Sequence, residues 1–209
     1  MQFWLEHFGI TVSAISGVLA ARGKGVDLFG VLVLALVTSF GGGTVRDILS
    51  GDLPVTWIRE PSFLLNATVT TFVTFFVRRV RELPRGFLLV ADAFALALFT
   101  IVGTRKGVAL EFAAPVAVML GVITGVAGGI LRDVLTGEVP MVFRPQIYLY
   151  ATAALVGAVV FVVWNHFAPN QPLVTFVCTG LILALRLAGI RLKLSLPVLE
   201  ETGKHERNK

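Results

Sequence analysis

Seven long apolar segments run through this chain, and they restrict its fold more than any other feature of the sequence. At about 1.5 Å per residue, a helix of about 20 residues spans the roughly 30 Å hydrocarbon core of a bilayer. Backbone polar groups find no water in that core, so a lone apolar segment is stable there as a helix. The sequence therefore predicts an all-α membrane protein with seven transmembrane helices. The predicted spans are 3–20, 28–40 continued through the glycines that follow, 63–77, 87–102, 112–131, 147–164 and 173–188.

Composition supports the membrane assignment and argues against a soluble protein that binds nucleic acid. Hydrophobic residues make up 56% of the 209 residues and charged residues only 15%, whereas a soluble domain carries about 25% charged residues. The formal charge of +5 would indicate a nucleic-acid partner in a soluble protein. Here most lysines and arginines fall between apolar segments, as expected for the cytoplasmic loops of a membrane protein. We therefore expect membrane lipid, and no nucleic acid, among the partners.

A glycine-rich motif occurs twice in the chain. Residues 42–54 read GGTVRDILSGDLP, and residues 128–140 read GGILRDVLTGEVP. Seven of the 13 positions are identical at an offset of 86, where unrelated segments match at roughly one position in fifteen. Glu6 and Asp92 also correspond at this offset. We interpret the pattern as an internal repeat.

The repeat predicts the topology of the chain. Each unit contains three predicted spans, with repeat one over 3–80 and repeat two over 86–165. An odd number of crossings inserts the second unit upside down relative to the first, which gives an inverted repeat. The seventh helix, 172–190, lies outside the duplication. We expect a single transmembrane domain over 1–194 and a short charged cytoplasmic tail over 195–209.

The distribution of basic residues predicts the orientation. Fourteen lysines and arginines fall on one side of the predicted spans and four on the other, and the richer side is cytoplasmic by the positive-inside rule. Basic residues follow the first span rather than precede it, which favours a retained span over a cleaved signal peptide. We expect a multi-pass protein of the inner (plasma) membrane, with the N-terminus outside and the C-terminus in the cytoplasm. The richer side holds Arg22, Lys24, Arg78, Arg79, Arg81, Arg85, Arg132, Arg144, Arg186, Arg191, Lys193, Lys204, Arg207 and Lys209; the poorer side holds Arg46, Arg59, Arg105 and Lys106.

The glycines of the motif predict breaks in the second and fifth helices. Glycine has no Cβ and lowers the cost of leaving helical geometry, which frees backbone carbonyls to meet a partly dehydrated cation. Paired, interrupted segments at corresponding positions of two repeats indicate a transport pathway. The alternative is that the glycines let neighbouring helices pack closely. The predicted helix breaks and pathway positions are Gly41, Gly42, Gly43, Gly128 and Gly129.

Each motif continues with an arginine and an aspartate, Arg46 with Asp47 and Arg132 with Asp133. Ionisable groups inside a span cost about 2.5 to 3.5 kcal/mol each on insertion scales unless they are paired or hydrated. Adjacent residues on a helix do not face each other, so we expect each arginine to pair with an acid of the opposite repeat or with freed carbonyls. Within a pathway the carboxylates would attract cations, and the arginines would act as a plug, a gate or a charge screen. The alternative is a loop at the membrane surface with solvated charges.

Two further acids, Glu6 and Asp92, match across the repeats. Each lies a few residues into the first helix of its unit. One interpretation places them at the two mouths of a pathway, where carboxylates concentrate cations. The other interpretation is that they stabilise helix N-termini. The residues themselves leave both interpretations open.

The sequence shows no pattern typical of catalysis or metal binding. His7, His166 and His205 are scattered, and the single cysteine, Cys178, has no histidine or aspartate near it. Its position inside an apolar segment predicts a packing role. We therefore expect no enzymatic activity, no metal site and no cofactor.

The two three-helix repeats and the seventh helix resemble the prokaryotic trimeric intracellular cation (TRIC) channels, a family also catalogued as glycine-transporter-like small membrane proteins. Each repeat carries Gly-Gly-x-x-Arg-Asp-x-Leu-x-Gly-acid-x-Pro, and the resemblance covers residues 3–190. It implies a homotrimer in which each protomer has its own pore for monovalent cations such as K⁺ or Na⁺, lined by the glycine-broken second and fifth helices. By position, the family motif falls on Gly41, Gly42, Gly43, Arg46 and Asp47, and on Gly128, Gly129, Arg132 and Asp133, with Ala127 in the place of Gly41.

Two functions are consistent with these residues. A potassium-type channel needs a continuous hydrated path through each protomer. A secondary transporter of a small zwitterion such as glycine needs a closed site with a cationic partner for the carboxylate and an anionic partner for the ammonium. The arginines and aspartates of the motif would supply both partners, while the family resemblance favours the channel.

Overall fold

Helices account for most of the chain that the structure describes. The structure is a computed structural model, and it describes residues 2–77, 82–84, 86–144, 149–169 and 171–193. The predicted tail over 195–209 lies outside the described residues, as do Arg78, Arg79, Arg81 and Arg85. The α-helices are α1 (Gln2–Ala20), α2 (Leu28–Leu49), α3 (Thr56–Arg59), α4 (Pro61–Phe76), α5 (Gly86–Ala109), α6 (Ala114–Leu135), α7 (Tyr150–Phe167) and α8 (Pro172–Leu192), with a 3₁₀ helix at Met141–Phe143.

Six of these helices are long and apolar enough to cross a membrane, namely α1, α2 and α5 to α8. The chain is therefore an all-helical, multi-pass membrane protein. α4 is apolar but has only 16 residues, and its length of about 24 Å falls short of the roughly 30 Å hydrocarbon core. Six of the seven predicted spans are thus confirmed by length and composition, and a crossing by α4 stays a prediction.

The helices extend beyond the apolar segments that predicted them. α2 continues past residue 40 to Leu49, α5 past residue 102 to Ala109, and α6 past residue 131 to Leu135. Lys106 and both Arg-Asp pairs therefore belong to helices. The four side chains of the pairs are buried, so the alternative of a surface loop with solvated charges is wrong.

Four helices form the centre of the bundle. α1 and α6 each pack against both α2 and α5, α4 packs against α1 and α2, and α7 and α8 pack against α5 and against each other. Ala14 and Leu34 fill the space between α1 and α2. Ile101, Phe161 and Cys178 fill the space between α5, α7 and α8. The buried position of Cys178 agrees with its predicted packing role.

The glycines of the motif do not break the helices, so that prediction is wrong. α2 and α6 are each continuous through their glycines. The carbonyls there are not freed by unwinding. The physical reason is that the absence of Cβ atoms serves close helix packing, which was the alternative interpretation. The glycines concerned are Gly41, Gly42, Gly43, Gly128 and Gly129.

α2 and α6 cross with backbone against backbone. A Cβ atom on Gly42 would overlap the carbonyl oxygen of Thr124, and a Cβ atom on Gly128 would overlap the carbonyl oxygen of Thr38. The two contacts are related by the same offset of 86 residues that relates the motif copies. Glycine is needed at both positions because a methyl group would have to displace a main-chain carbonyl.

Glycines also bring α6 against α5 inside the same chain. A Cβ atom on Gly121 would overlap the hydroxyl of Thr104, and one on Gly125 would overlap the hydroxyl of Thr100. Small residues at this spacing allow two helices to approach closely. These two glycines therefore stabilise the fold of one protomer.

Each motif ends its helix with a tight reversal of the chain. The glycine that follows the helix has a positive φ, +67° in the first copy and +69° in the second. Beyond it, the amide of Asp52 donates to the carbonyl of Asp47 over 3.0 Å, and the amide of Glu138 donates to the carbonyl of Asp133 over 2.9 Å. This is the Schellman arrangement of helix C-termini. It brings the second acid of each motif close to the first.

We expect Gly42→Ala to destabilise the protein and Gly43→Ala to leave it stable. A methyl group at position 42 meets a carbonyl of α6, whereas at position 43 the nearest atom is Nη2 of Arg46 at 3.8 Å, an ordinary contact. Overpacking of this kind costs about 1–3 kcal/mol, while alanine at position 43 gains up to about 1 kcal/mol of helix propensity. Thermal unfolding of both variants in one detergent measures the difference. Equal midpoints would contradict the close crossing.

Candidate functional site

Two large cavities reach into the bundle and carry most of the charged side chains near its axis. The first has a volume of about 700 Å³ and is termed the Lys106 vestibule; the second has a volume of about 810 Å³ and is termed the Lys24 vestibule. The charged residues that line the Lys106 vestibule are Glu6, Arg46, Asp52, Arg59, Arg105, Lys106 and Glu111. Those that line the Lys24 vestibule are Arg22, Lys24, Asp133, Glu138 and Arg144.

A third, small cavity lies where α2 and α6 cross, and it is termed the crossing cavity. Its volume is about 10 Å³, which is room for about one water molecule. Asp92 and Arg132 are the charged residues in its wall. The rest of the wall consists mainly of hydroxyl-bearing residues and glycines, namely Ser13, Ser16, Thr38, Ser39, Thr124, Gly42, Gly43, Gly125, Gly128 and Gly129.

The three spaces follow one another along the central helices. On α1, Glu6 lines the Lys106 vestibule, Ser13 the crossing cavity and Leu19 the Lys24 vestibule. On α5 the order is reversed, from Leu88 in the Lys24 vestibule to Lys106 at the other end. The distance along α1 from Glu6 to Leu19 is about 20 Å at 1.5 Å per residue. The three cavities therefore lie one after another along the central helices, and this line of cavities is termed the polar axis.

The first Arg-Asp pair is buried at the end of α2, beside the Lys106 vestibule. Nε of Arg46 donates to Oδ1 of Asp47 over 2.8 Å, and Nζ of Lys106 donates to the same oxygen over 2.6 Å. Oδ2 of Asp47 accepts from the amide and the hydroxyl of Thr56, each over 2.7 Å. Both carboxylate oxygens are thus occupied, and the carboxylate holds the first turn of α3.

The second pair is buried at the end of α6, between the crossing cavity and the Lys24 vestibule. Nε of Arg132 donates to Oδ1 of Asp133 over 2.9 Å. Oδ2 of Asp133 accepts from the amide of Met141 over 2.8 Å, at the start of the 3₁₀ helix. Nη1 of Arg132 also donates to Oγ of Ser16 over 2.6 Å and to Oδ1 of Asp92 over 2.9 Å. The second pair therefore reaches α1 and α5, whose residues line the crossing cavity.

Each arginine is paired with the aspartate that directly follows it, which corrects the prediction that adjacent residues would find other partners. The prediction rested on the divergence of neighbouring Cβ directions on a helix. An arginine side chain is long and flexible enough to bend back to its neighbour, and a buried guanidinium is stable only with such partners. Arg132 has an additional acidic partner, Asp92, from its own repeat rather than the opposite one.

Asp92 is the centre of a buried charge cluster. Besides Arg132, its Oδ1 accepts from the hydroxyl of Tyr150 over 3.3 Å, and its Oδ2 lies 4.0 Å from Nη2 of Arg186. The guanidinium of Arg186 lies over the ring of Tyr150, 4.7 Å from the centroid. Asp92 is the seventh residue of α5 and is 3% exposed. Both interpretations of Asp92, as a mouth acid and as a helix cap, are therefore wrong.

Glu6 occupies the matching position in the first repeat, but its surroundings differ. It is buried in the wall of the Lys106 vestibule, whereas Asp92 lines the crossing cavity. This place is compatible with a mouth acid, and that role for Glu6 stays a prediction. The two acids are equivalent in sequence and unequal in their environment.

Two basic residues of this site were not predicted as site residues by the sequence analysis. Lys106 lies in α5 and bridges Asp47 and Asp52, with 2.5 Å between Nζ and Oδ2 of Asp52. Arg186 is fully buried in α8. The signal for Arg186 was its place inside the predicted span 173–188, because an ionisable residue inside a span marks a functional candidate. Tyr150 gave no signal, since a tyrosine near the start of a predicted span is typical of the membrane interface.

The fold and the site define a class, the multi-pass helical membrane proteins with a polar axis inside each chain. In the part of the chain that the structure describes, no three His, Cys, Asp or Glu side chains are grouped to hold a metal ion. A comparison with protein families identifies the chain more closely. The chain belongs to the glycine transporter family, whose sequence profile matches residues 3–79 and 89–166.

Relatives in sequence and solved structures agree with this membership. The inner membrane protein YadS of Escherichia coli (strain K12) is 44% identical over 209 residues, which cover 98% of this chain and 100% of YadS. A membrane protein of Vibrio cholerae is 40% identical over 205 residues, covering 97% of this chain and 84% of that protein. The crystal structure of a TRIC trimeric intracellular cation channel orthologue from Rhodobacter sphaeroides is similar with a TM-score of 0.83 and 34% identity, over 92% of this chain and 98% of that one.

The resemblance to the prokaryotic TRIC family is thereby confirmed. A TRIC channel of Caenorhabditis elegans, at 18% identity and a TM-score of 0.66, shares the fold alone. The family and the fold neighbours are membrane proteins and channels rather than enzymes, in agreement with the sequence analysis.

We expect Asp92→Asn to lower the stability of the protein far more than Glu6→Gln. Removing the Asp92 charge leaves Arg132 and Arg186 buried with one carboxylate fewer, and breaking a buried ion pair from one side costs about 3–5 kcal/mol. Glu6 borders a cavity of about 700 Å³, where water can solvate its partners. Thermal unfolding in detergent measures both effects. An Asp92→Asn protein as stable as Glu6→Gln would refute the central role of Asp92 in the cluster.

Proposed function

We propose that the protein is a channel for monovalent cations, K⁺ or Na⁺, with one pore in each protomer of a homotrimer. The single observation that carries the proposal is the axis formed by two vestibules of about 700 and 810 Å³ that approach a crossing cavity of about 10 Å³ from opposite ends. The solved structures that this chain resembles are TRIC cation channels by their description, which supports the same function here.

The narrow part of the proposed pore is short. Each vestibule is wide enough to hold water and ends close to the crossing of α2 and α6. An ion would therefore lose its hydration only near the crossing cavity. Room for about one water molecule does not admit a hydrated cation. The structure therefore corresponds to a closed state of the proposed channel, and conduction requires α2 and α6 to move apart.

The wall of the crossing cavity suits a partly dehydrated cation. The hydroxyl of Thr38 donates to the carbonyl of Leu34 over 2.6 Å, and the hydroxyl of Thr124 donates to that of Leu120 over 2.5 Å. Because each hydroxyl hydrogen is used within its own helix, the oxygen lone pairs are left to accept a cation. In this proposal, side-chain hydroxyls replace the freed glycine carbonyls of the sequence analysis.

The two buried arginines are the proposed gates. Arg46 lines the Lys106 vestibule and Arg132 lines the crossing cavity, so a cation would pass both. A fixed positive charge in a confined polar space repels cations, and moving it away lowers that barrier. Asp47 and Asp133 hold the arginines and the following loops, so we assign them the positioning of the gates rather than the attraction of cations.

Topology and orientation are further parts of the proposal. Crossing by α4 would give seven spans, and the reciprocal glycine contacts of α2 and α6 support two inverted repeats. Arg46, Arg132 and Arg186 are buried in helices, so they are left out of the count of basic residues on each side. Without them the richer side has 12 basic residues and the other side has three. The Lys24 vestibule then faces the cytoplasm and the Lys106 vestibule faces outward.

A carrier for a small zwitterion such as glycine is the second candidate. The family description supports it, and the arginines and acids of the site offer both charge partners. Against it, Asp47 and Asp133 are occupied by arginines and backbone amides, and the crossing cavity is far smaller than an amino acid. The two functions differ in flux, because a channel conducts in steps that no carrier reaches.

We expect purified protein in planar bilayers to show up to three equally spaced conductance levels per inserted trimer, with a reversal potential that favours K⁺ over Cl⁻. Arg46→Gln should raise the open probability severalfold, because it removes a gate charge while Asp47 keeps Lys106 as a partner. Arg191→Gln, near the end of α8, is the matched control and should leave it unchanged.

Two outcomes would contradict the channel. The first is a bilayer without steps together with saturable uptake of radiolabelled glycine into proteoliposomes, which would replace the channel by the carrier. The second is a single conductance level with a monomeric mass by mass photometry, which would refute the trimer.

We expect an impermeant thiol reagent to label Gln2→Cys in intact cells and His205→Cys only after lysis. The reason is the excess of basic residues on the side of the C-terminus. Both variants need Cys178→Ser, although the native cysteine is buried. Labelling in the reverse pattern would exchange the two vestibules between the faces of the membrane.

A further inference from the structure

The wall of the Lys106 vestibule differs in charge from one part to another. Beside α2 and α3, Arg46 and Lys106 both contact the carboxylate of Asp47, and Arg59 contacts that of Asp52. A second part of the wall comes from α7, α8 and the loop between them, and it is termed the α8 side. All the described residues that form the α8 side are uncharged, namely Phe161, Asn165, Pro169, Gln171, Pro172 and Thr175.

Arg105 reaches the α8 side from α5. It follows Ile101 by four residues, and residues four apart lie on the same face of a helix. Ile101 is buried with Phe161 in the space between α5, α7 and α8. Arg105 therefore extends from the face of α5 that meets those two helices. The next residue, Lys106, leaves α5 in a different direction and contacts Asp47.

The guanidinium of Arg105 has an unsatisfied hydrogen-bond donor. Its Nη1 atom is buried and has no hydrogen-bond partner among the residues that the structure describes. A buried donor without a partner is costly, and the cost is larger for a charged group. The side chain also borders the cavity of about 700 Å³, a volume typical of small-molecule sites. An acceptor that enters the vestibule and binds Arg105 would remove that cost.

The duplication of the chain does not account for Arg105. The equivalent position of the first repeat, 86 residues earlier, is Leu19. Leu19 is 4% exposed and lies in the wall of the Lys24 vestibule. α8 lies outside the duplication as well. The repeat therefore folds without a cation at this position in its first copy, and Arg105 together with α8 forms an arrangement that the second half alone possesses.

The chemistry of the wall indicates which acceptor fits. A planar guanidinium can donate two parallel hydrogen bonds to a carboxylate. Because Arg105 is one cation beside uncharged residues, a single negative charge suits it better than a phosphate dianion, which is typically bound by a cluster of arginines. Val108, Leu110 and Phe161 add apolar surface to the vestibule. Such surface favours an aliphatic body over a second charged group.

We propose that the α8 side of the Lys106 vestibule is a binding site for a short aliphatic monocarboxylate, whose carboxylate Arg105 holds. Gln171 and Thr175 border the same space and supply further hydrogen-bonding groups. The site is separate from the crossing cavity. The proposal does not rest on the channel function, because binding is measured on the purified protein whether or not it conducts.

Binding is measured with propionate by saturation-transfer difference NMR on the whole purified chain in detergent, with protein-free micelles as the blank. For the parent we expect a saturable signal with a dissociation constant on the order of 1 mM, because so small a ligand makes few contacts. Arg105→Gln should weaken binding by at least about tenfold, since it removes charged hydrogen bonds. Arg59→Gln, which removes another cation from the same vestibule, is the matched control and should change the affinity by less than about threefold.

Competition against propionate tests the class of ligand. Butyrate should displace propionate. Nitrate is a planar monoanion without an aliphatic part, and glycine adds an ammonium group to the carboxylate, so each should compete at least about tenfold more weakly. Equal competition by nitrate would reduce the site to one for any monoanion. Equal competition by glycine would replace the aliphatic class by the ligand of the second candidate function. Either result would overturn the proposal.

The absence of a saturable signal from the parent, or equal affinities of the parent and Arg105→Gln, would also overturn the proposal. Should Arg105→Gln fail to fold by its thermal midpoint, Arg105→Leu gives the same comparison, because leucine is the residue at the equivalent position of the first repeat. Recordings in planar bilayers separate this site from the proposed function. Propionate binding without conductance steps would refute the channel alone, and conductance steps without propionate binding would refute the site alone.

Discussion

The close crossing of α2 and α6 is the contact on which the rest of the structure depends. Gly42 lies against the carbonyl of Thr124, and Gly128 lies against that of Thr38, so the two helices meet backbone to backbone at these two positions. This approach places the two Arg-Asp pairs on either side of one small polar cavity. The Lys106 vestibule lies beside the end of α2, and the Lys24 vestibule lies beside the end of α6. The narrowest point of the polar axis therefore coincides with a close backbone contact between two helices.

The second constraint is that buried charged side chains need partners of opposite charge. The two halves of the chain supply these partners differently. Asp47 is neutralised from the vestibule side by Lys106, which is itself part of a surface cluster. In the second half, Arg186 of α8 and Tyr150 of α7 lie beside the buried carboxylate of Asp92. A duplicated sequence thus carries two distinct electrostatic arrangements, because α8 contacts one half of the bundle and has no counterpart beside the other. Movement of the two proposed gates is accordingly expected to be unequal.

Particular residues show how far the sequence could predict the site. The motif predicted Arg46, Asp47, Arg132 and Asp133 as a group, and the structure brings each pair together. The motif could not predict that each arginine side chain bends back to the neighbouring aspartate. That conformation depends on the acids, amides and hydroxyls that surround the arginine in the folded protein. Lys106 was assigned to a loop because hydropathy falls at residue 102, whereas pairing with Asp47 and Asp52 lets α5 continue. The glycines were interpreted as breaks because the partner carbonyls belong to a helix 86 residues away.

The sequence by itself determined the membrane class, six of the spans and the arginine and aspartate of each motif as candidate site residues. Those features follow from apolar length and from local patterns that any bilayer imposes. Only the tertiary structure decided that the glycines are packing contacts, that Asp92 lies inside the bundle rather than at a mouth, and that Lys106 and Arg186 join the site. The physical reason is that the energetic effect of a missing Cβ atom or of a charged side chain cannot be derived from its neighbours in the sequence. Its effect depends on which atoms from distant segments occupy the space beside it.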